Sequence, residues 1–312
     1  MRHRRMGTSG LSVSSLALGT MTWGRSTDFE TASDQLRTFL SAGGTLVDTA
    51  HGYSDGAAEE FLGRIIDEEL DRDDVVICTK AGISRRSGKR VVDTSRFSLL
   101  SQLDTSLERL GTDHVDLWLV HTWSDEAPLT ETLSALEWAI NTGRARYVGV
   151  SNYSGWQSAR ALSLLEQARV PLVANEVEYS LLNRTAEHEL LGAAQSLGFG
   201  LLPWSPLGRG VLTGKYRHGI PADSRAASRD FPRFTARYLD ERSATIVEAL
   251  AIAAQGLGVS SAEVALAWVR DRPGVVSPVV GARTTAQLKT SLAADDLVLP
   301  EELVAALDEV SA

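Results

Sequence analysis

The chain has 312 residues, 43% hydrophobic and 23% charged, a globular composition with length enough for one large core or two ordinary domains. Its net charge of -9 leaves no basic excess to neutralise phosphates, which argues against a nucleic-acid or anionic-membrane partner and for a small-molecule substrate. The basic opening MRHRRMGTSGLSV lacks the apolar core of a signal peptide, no other run approaches the roughly 18 apolar residues of a membrane span, and the single Cys78 excludes an intrachain disulfide and multi-thiolate zinc sites, so a reducing cytoplasm is expected.

In chain order, the first residues, RHRRMGTSGLSVSS, contain a Gly turn and are expected to form a small hairpin at the amino-terminal mouth of the domain. Short apolar, β-branched runs then recur: SLALGT (15–20), TLVDTA (45–50), VVICTK (75–80), VDLWLVH (115–121), RYVGVSN (146–152), LVANEVE (172–178), GLLPWSP (200–206) and VVSPVVGA (275–282). Between them lie segments of helical period: SLLSQLDTSLERL (98–110), LTETLSALEWAI (129–140), SARALSLLEQA (158–168) and AEHELLGAAQSL (186–197). The first seven runs start about thirty residues apart, the size of one βαβ unit, and no Pro/Gly/Ser linker divides them. Eight such units over residues 1–312 predict a single α/β domain, a (β/α)8 TIM barrel with an N-terminal β-hairpin. Residues 207–240 break the rhythm. They carry little periodicity, and a loop of that length is expected to be a lid or binding loop.

In such a barrel the active site lies at the carboxyl ends of the strands, and here those ends are polar. They read Gly19-Thr20, Asp48, Lys80, His121, Ser151-Asn152, Glu176 with Glu178, Trp204-Ser205, and Gly281 followed by Arg283. Period-two alternation puts His121 on one face with Leu119 and Leu117, and leaves Trp118 to pack between strand and helix. Asp48 and Lys80, at the ends of adjacent strands, offset each other's burial. Tyr53 stands in the loop just beyond Asp48. A lysine cation near its oxygen is expected to lower the phenol's titration and make the proton easier to give. With His121 as a second hydrogen-bonding group, the constellation suits hydride addition to a carbonyl, where negative charge develops on oxygen.

These residues resemble the aldo-keto reductase family. The resemblance runs through RRMGTSGLSVSSLALGT, DTAHGYSDGAAEEFLG, CTKAG, VDLWLVHTW, GRARYVGVSNYS, NEVEYSLLNR, PWSPLGRGVLTGKY and VVGARTTAQLKTSL, nearly the whole chain and in order. It implies a (β/α)8 barrel that binds NADPH, with NADH weaker, and reduces aldehydes and ketones. The family's catalytic tetrad matches Asp48, Tyr53, Lys80 and His121, with Tyr53 as the acid. Ser151 and Asn152 match the residues that hold the nicotinamide carboxamide, and Trp204 the aromatic on which that ring stacks. The Ser205-Pro206-Leu207-Gly208 turn, Gly210 and Lys215 match the pyrophosphate segment, and Gly281, Arg283, Thr284, Gln287 and Ser291 the segment for the adenosine 2'-phosphate. The cofactor contacts are taken to include Gly19, Thr20, Met21 and Asp48 as well. One position departs: the family usually has glutamine where this chain has Glu176, and a carboxylate donates no hydrogen bond to the carboxamide unless protonated.

Trp23 and Trp123, in loops just past the first and fourth strands, are expected to contact substrate alongside Tyr53 and His121. With Phe29, Phe231 and Phe234 they suggest an apolar or aromatic carbonyl. GRGVLTGK is not a Walker loop, because the required glycine falls on Arg209, only three residues separate Gly210 from Gly214, and Tyr216 replaces the Ser/Thr. No GxGxxG opens a helix after an early strand, and no further ligands join His51 and Asp48, so neither a Rossmann fold nor a metal is expected. Cys78 reads as barrel filling. Because the resembled family includes auxiliary subunits of potassium channels that keep cofactor as a sensor, a regulatory subunit with little turnover is the alternative. The sequence sets neither the physiological carbonyl nor the oligomeric state.

Overall fold

In the computed structural model, which describes residues 1–86, 89–222, 224–227 and 234–312, each of the eight apolar runs contributes one parallel strand. A hairpin of β1 (His3–Arg5) and β2 (Ser12–Ser14) comes first, then β3 (Ala17–Gly19), β4 (Leu46–Asp48) and β5 (Val76–Ala81). A second hairpin, β6 (Ile83–Arg86) with β7 (Lys89–Val92), precedes β8 (Val115–Val120), β9 (Ala145–Ser151), β10 (Leu172–Glu178), β11 (Gly200–Trp204) and β12 (Val279–Gly281). The eight barrel strands pair in chain order, and β12 closes back on β3 in the register Val279 to Ala17 and Gly281 to Gly19. The expected barrel and amino-terminal hairpin are therefore present; the β6–β7 hairpin is an addition.

Parallel neighbours require crossovers, and helices supply them. They are α1 (Phe29–Ser41), α2 (Ala57–Glu69), α3 (Arg96–Leu110), α4 (Leu129–Asn141), α5 (Gly155–Gln167), α6 (Leu190–Leu197), α7 (Glu241–Leu257) and α8 (Ser261–Arg270), with α9 (Thr285–Leu292) and α10 (Glu301–Val310) after β12. Side chains cap many of the starts: Asp28, Ser95, Ser154, Asp240, Ser260 and Thr284 each accept from the backbone N–H three residues on. The segment 186–197 is shorter as a helix than its periodicity suggests. Glu187 is held by the Tyr179 hydroxyl (2.6 Å) and the Arg184 guanidinium, which leaves a separate 3-10 turn over Thr185–Glu187 before α6 begins.

Alternation along the strands divides the core into two layers. Ala17, Leu46, Cys78, Leu117, Leu119, Val173, Ala174, Leu202 and Val279 fill the barrel, and Met6 and Val13 of the first hairpin join them from below. Trp118 sits in the outer layer between sheet and helices. The long interval after β11 folds as 3-10 turns at Gly208–Thr213, Arg225–Ala227 and Ala236–Tyr238, while residues 223 and 228–233, including Phe231, lie outside the described residues. Among the described residues no single helix is long and apolar enough to cross a membrane.

Candidate active site

The barrel register brings Asp48, Lys80 and Glu176 together at the carboxyl ends of β4, β5 and β10. The Lys80 ammonium donates a hydrogen bond to Asp48 Oδ1 and lies 2.8 Å from Glu176 Oε2. All three are buried: Lys80 is 0% exposed, Asp48 and Glu176 2% each. Glu176 Oε2 has the ion contact without hydrogen-bond alignment, and the Glu176 carboxyl also lies against that of Asp48. Cys78 Sγ and one oxygen each of Asp48 and Glu176 fall within 4.8 Å of one another, a donor set suited to a cation; Lys80 already provides that positive charge.

Burial lowers the Lys80 ammonium's affinity for its proton, but Asp48 and Glu176 outweigh it and hold the group charged well above the ordinary lysine range. Burial and the Asp48 charge push Glu176 up to about 8, against the pull of Lys80. Tyr53 leans over this trio, its ring centroid 5.4 Å from Lys80 Nζ and 5.9 Å edge-on from the His121 ring. Here the sequence expectation fails in sign. Burial raises the phenol well above its usual value, and Lys80 opposes it without prevailing, because burial is the larger effect and the Asp48 and Glu176 charges add to the rise. His121 is pushed well below the ordinary imidazole range, by burial first and then by the Lys80 and Arg90 charges, so the ring is neutral and its Nδ1 is left without a partner among the described residues.

A strained turn aims Tyr53. Ser54 (φ 50°), Asp55 (φ 57°) and Gly56 (φ 109°) are left-handed in succession, a conformation costly for the first two. Side-chain anchoring holds it: Arg109 donates to the His51 carbonyl (3.1 Å) and to Glu59 (3.1 Å), whose other oxygen accepts from Thr79 (2.6 Å). Gly56 is required there, since a Cβ would stand 2.4 Å from Arg109 Cζ. The β6–β7 hairpin backs the same turn, with the Ile83 carbonyl 2.8 Å from where a Cβ on Gly52 would be. Sequence reasoning missed the Arg109–Glu59 pair and the hairpin that brings Arg90 near His121. The Ser87-Gly88 dipeptide between ISRR and KRVV was the available hairpin signal.

The remaining residues divide. Asn152, itself left-handed (φ 58°), donates to the His121 carbonyl (3.0 Å) and Ser151 Oγ (2.9 Å) and accepts from Trp204 Nε1 (3.0 Å), bracing the mouth between β8 and β11. Ser151 is buried beside it. Past Trp204, Ser205, Gly208, Arg209 and Gly210 all take positive φ. Gly208 packs on Leu182 beside the half-buried Leu207, and the open side of Gly210 faces the Lys215 ammonium, 3.3 Å from where a Cβ would stand. Arg209 is bidentate to Glu178 (2.9 Å each), donates to the Phe234 carbonyl (2.7 Å) and stands 5.6 Å from the Trp204 ring centroid, tying the long loop to β10.

At β12, Gly281 is exposed and Arg283 half-buried; Thr284 and Gln287 are both engaged in capping α9, and Ser291 Oγ donates to the Gln287 carbonyl. Gly19 and Thr20 are buried at the end of β3, with Thr20 Oγ1 donating to the Asp48 carbonyl (3.1 Å) and Met21 half-buried beyond them. Trp23 does not line the mouth: it is fully buried with its indole N–H on Gln35 (2.8 Å), because α1 folds back over it. Trp123 is half-exposed and packs edge-on against Tyr153 and Trp156.

A parallel eight-stranded barrel with an ionisable cluster at its carboxyl mouth is the architecture of a barrel enzyme, and residues 15–312 match the Aldo/keto reductase family, to which the chain belongs. It is an NAD(P)H-dependent oxidoreductase acting on small carbonyl compounds. It is 36% identical to an L-glyceraldehyde 3-phosphate reductase of Escherichia coli O157:H7, over 99% of this chain and 92% of that protein. It is also 36% identical to a probable voltage-gated potassium channel subunit beta of Oryza sativa subsp. japonica (99% and 96% covered) and to Protein tas of Escherichia coli K12 (99% and 97%).

Proposed function

We propose that the protein reduces an aldehyde or ketone with NADPH, Tyr53 supplying the proton to the carbonyl oxygen. The observation that carries this reading is the convergence of Tyr53 and a neutral His121 over the buried Asp48–Lys80 pair. The structure fits a nicotinamide cofactor: an unaligned buried oxygen on Glu176 and an indole edge at Trp204 border the mouth, and the left-handed turn through Gly210 opens onto the Lys215 cation, a cradle for pyrophosphate. The cofactor supplies the hydride.

The chain's own residues do the rest. Ser151 and Asn152 orient the carboxamide, and Trp204 backs the ring. His121, uncharged, holds the carbonyl oxygen by a hydrogen bond. Tyr53 stays protonated until charge builds on that oxygen, as its raised titration requires, and Lys80 then stabilises the phenolate formed. Arg283, beside the start of α9, is the residue we assign to the 2'-phosphate. On one 1–312 barrel domain, we assign the described residues of the 207–240 segment to a lid over the pyrophosphate.

A panel of carbonyl compounds with NADPH and NADH, followed by nicotinamide absorbance, tests the reading. Multiple turnover with NADPH is expected, and a short aldehyde such as the substrate named for the Escherichia coli relative belongs in the panel. The likeness to potassium channel β subunits favours a second reading, a cofactor-holding sensor. Tight cofactor binding with negligible turnover across the panel would favour it over the enzyme.

A further inference from the structure

Two carboxylates meet a single ammonium at the floor of the mouth. Were Asp48, Lys80 and Glu176 all ionised, one net negative charge would stand in a site that is at most 2% exposed. The groups facing Glu176 do not offset it. From β4 comes Asp48, from β5 Cys78 and Lys80, and from the turn beyond β4 Tyr53; its register neighbours on β9 and β11 are Ser151 and Leu202. Lys80 is the cation among them, and Asp48 already holds its hydrogen bond. An unpaired buried charge is costly, and a carboxyl escapes that cost by taking a proton.

We propose that Glu176 is a positioning residue that sets the charge around Lys80: it carries a proton while the site is competent for reduction, and its ionisation shuts the site as the solution turns alkaline. This rests on the reductase reading, in which Tyr53 gives up a proton. Titration supports the geometry, since Tyr53, Cys78 and Lys80 are displaced upward and His121 downward, whereas Glu176 moves to about 8. Once ionised, Glu176 adds a negative charge beside the atoms on which negative charge must develop, Tyr53 Oη and the substrate oxygen. It also draws on the Lys80 cation that would stabilise them.

The proton further links stability to pH. An unfolded glutamate ionises near 4.5, while the folded one keeps its proton to about 8, so this contribution is present below that window and is lost as pH rises through it.

The test uses the whole protein and Glu176→Gln, which keeps the shape and a donor but cannot ionise. In the wild type without cofactor, infrared difference spectra should show a protonated-carboxyl stretch that vanishes as pH rises through about 8 and is missing from the variant. The wild-type kcat for NADPH-dependent reduction should fall roughly ten- to hundred-fold over the same rise, and the ratio of neutral to alkaline kcat should collapse toward one in Glu176→Gln. Absence of the band at neutral pH in the wild type overturns the proposal even if the variant fails to fold. A band with an unchanged alkaline limb in the variant overturns the control of rate. A band in a protein that reduces no carbonyl upholds the proton on Glu176 and overturns the reductase reading instead.

Discussion

At the amino-terminal end of the barrel, Met6 and Val13 close the interior with apolar side chains, whereas at the carboxyl-terminal end Asp48, Lys80 and Glu176 project three ionisable groups into the same dry space. The lower end gains stability from burial alone. The upper end forgoes some of it, since a buried ion pair is no more stabilising than good apolar packing, and retains charge where a reaction needs it. Local strain follows the same division. Among the described residues, Ser54, Asp55, Asn152, Ser205 and Arg209, five of the six non-glycine residues with positive φ, lie in the segments at the carboxyl mouth, and the sixth is Arg169.

The sharpest way to break this contrast is Tyr53→Phe. It should leave NADPH affinity nearly intact and lower kcat by the 10²-fold to 10⁴-fold typical of losing a general acid. A near wild-type kcat in steady-state kinetics would remove Tyr53 from the chemistry.

A paired comparison separates the two ends directly. Lys80→Met leaves the ionised Asp48 and its neighbour Glu176 buried without a cation and should cost about 3–5 kcal/mol in denaturant unfolding together with nearly all activity. Met6→Ala should cost about 2–5 kcal/mol for the cavity while the folded fraction keeps its kcat. Equal losses of kcat in both would show that the division of labour is wrong.

How much of this was legible in the sequence divides along the same line. The strands and their order were readable because apolar runs recur at βαβ spacing, and the inward or outward choice at Leu117, Trp118 and Leu119 followed from period two. The polar strand ends were readable for the same reason. What escaped were the long-range partnerships that no local pattern encodes: Arg109 with Glu59 across 50 residues, and Trp23 turned inward onto Gln35. The sign of the Tyr53 shift was missed because its main cause is burial, set by how the turn packs over the closed barrel mouth; the Asp48 charge and that of Glu176, brought in from the far side of the barrel, add to it.

A smaller effect sharpens the cofactor side of the mouth. Charge-assisted hydrogen bonds to a phosphate are worth about 1.5 to 3 kcal/mol, so Arg283→Ala should raise the Kd for NADPH roughly ten- to hundred-fold and barely alter that for NADH. Equal weakening of both in fluorescence titrations would show that Arg283 does not read the 2'-phosphate. Smallest is the loop. Limited trypsin cleavage within 217–240, which holds five arginines, should slow when NADPH is added, and an unchanged rate would make the segment a tether and not a lid.

The central claim is that hydride passes to a carbonyl carbon at this mouth while the proton goes to its oxygen. It is tested most directly by turning the wild-type protein over with NADPH deuterated at the transferable position and analysing the alcohol by mass spectrometry and NMR. The account predicts one deuterium on the former carbonyl carbon, retained in ordinary water. Alcohol formed without that deuterium, or no alcohol from any carbonyl offered, would contradict it.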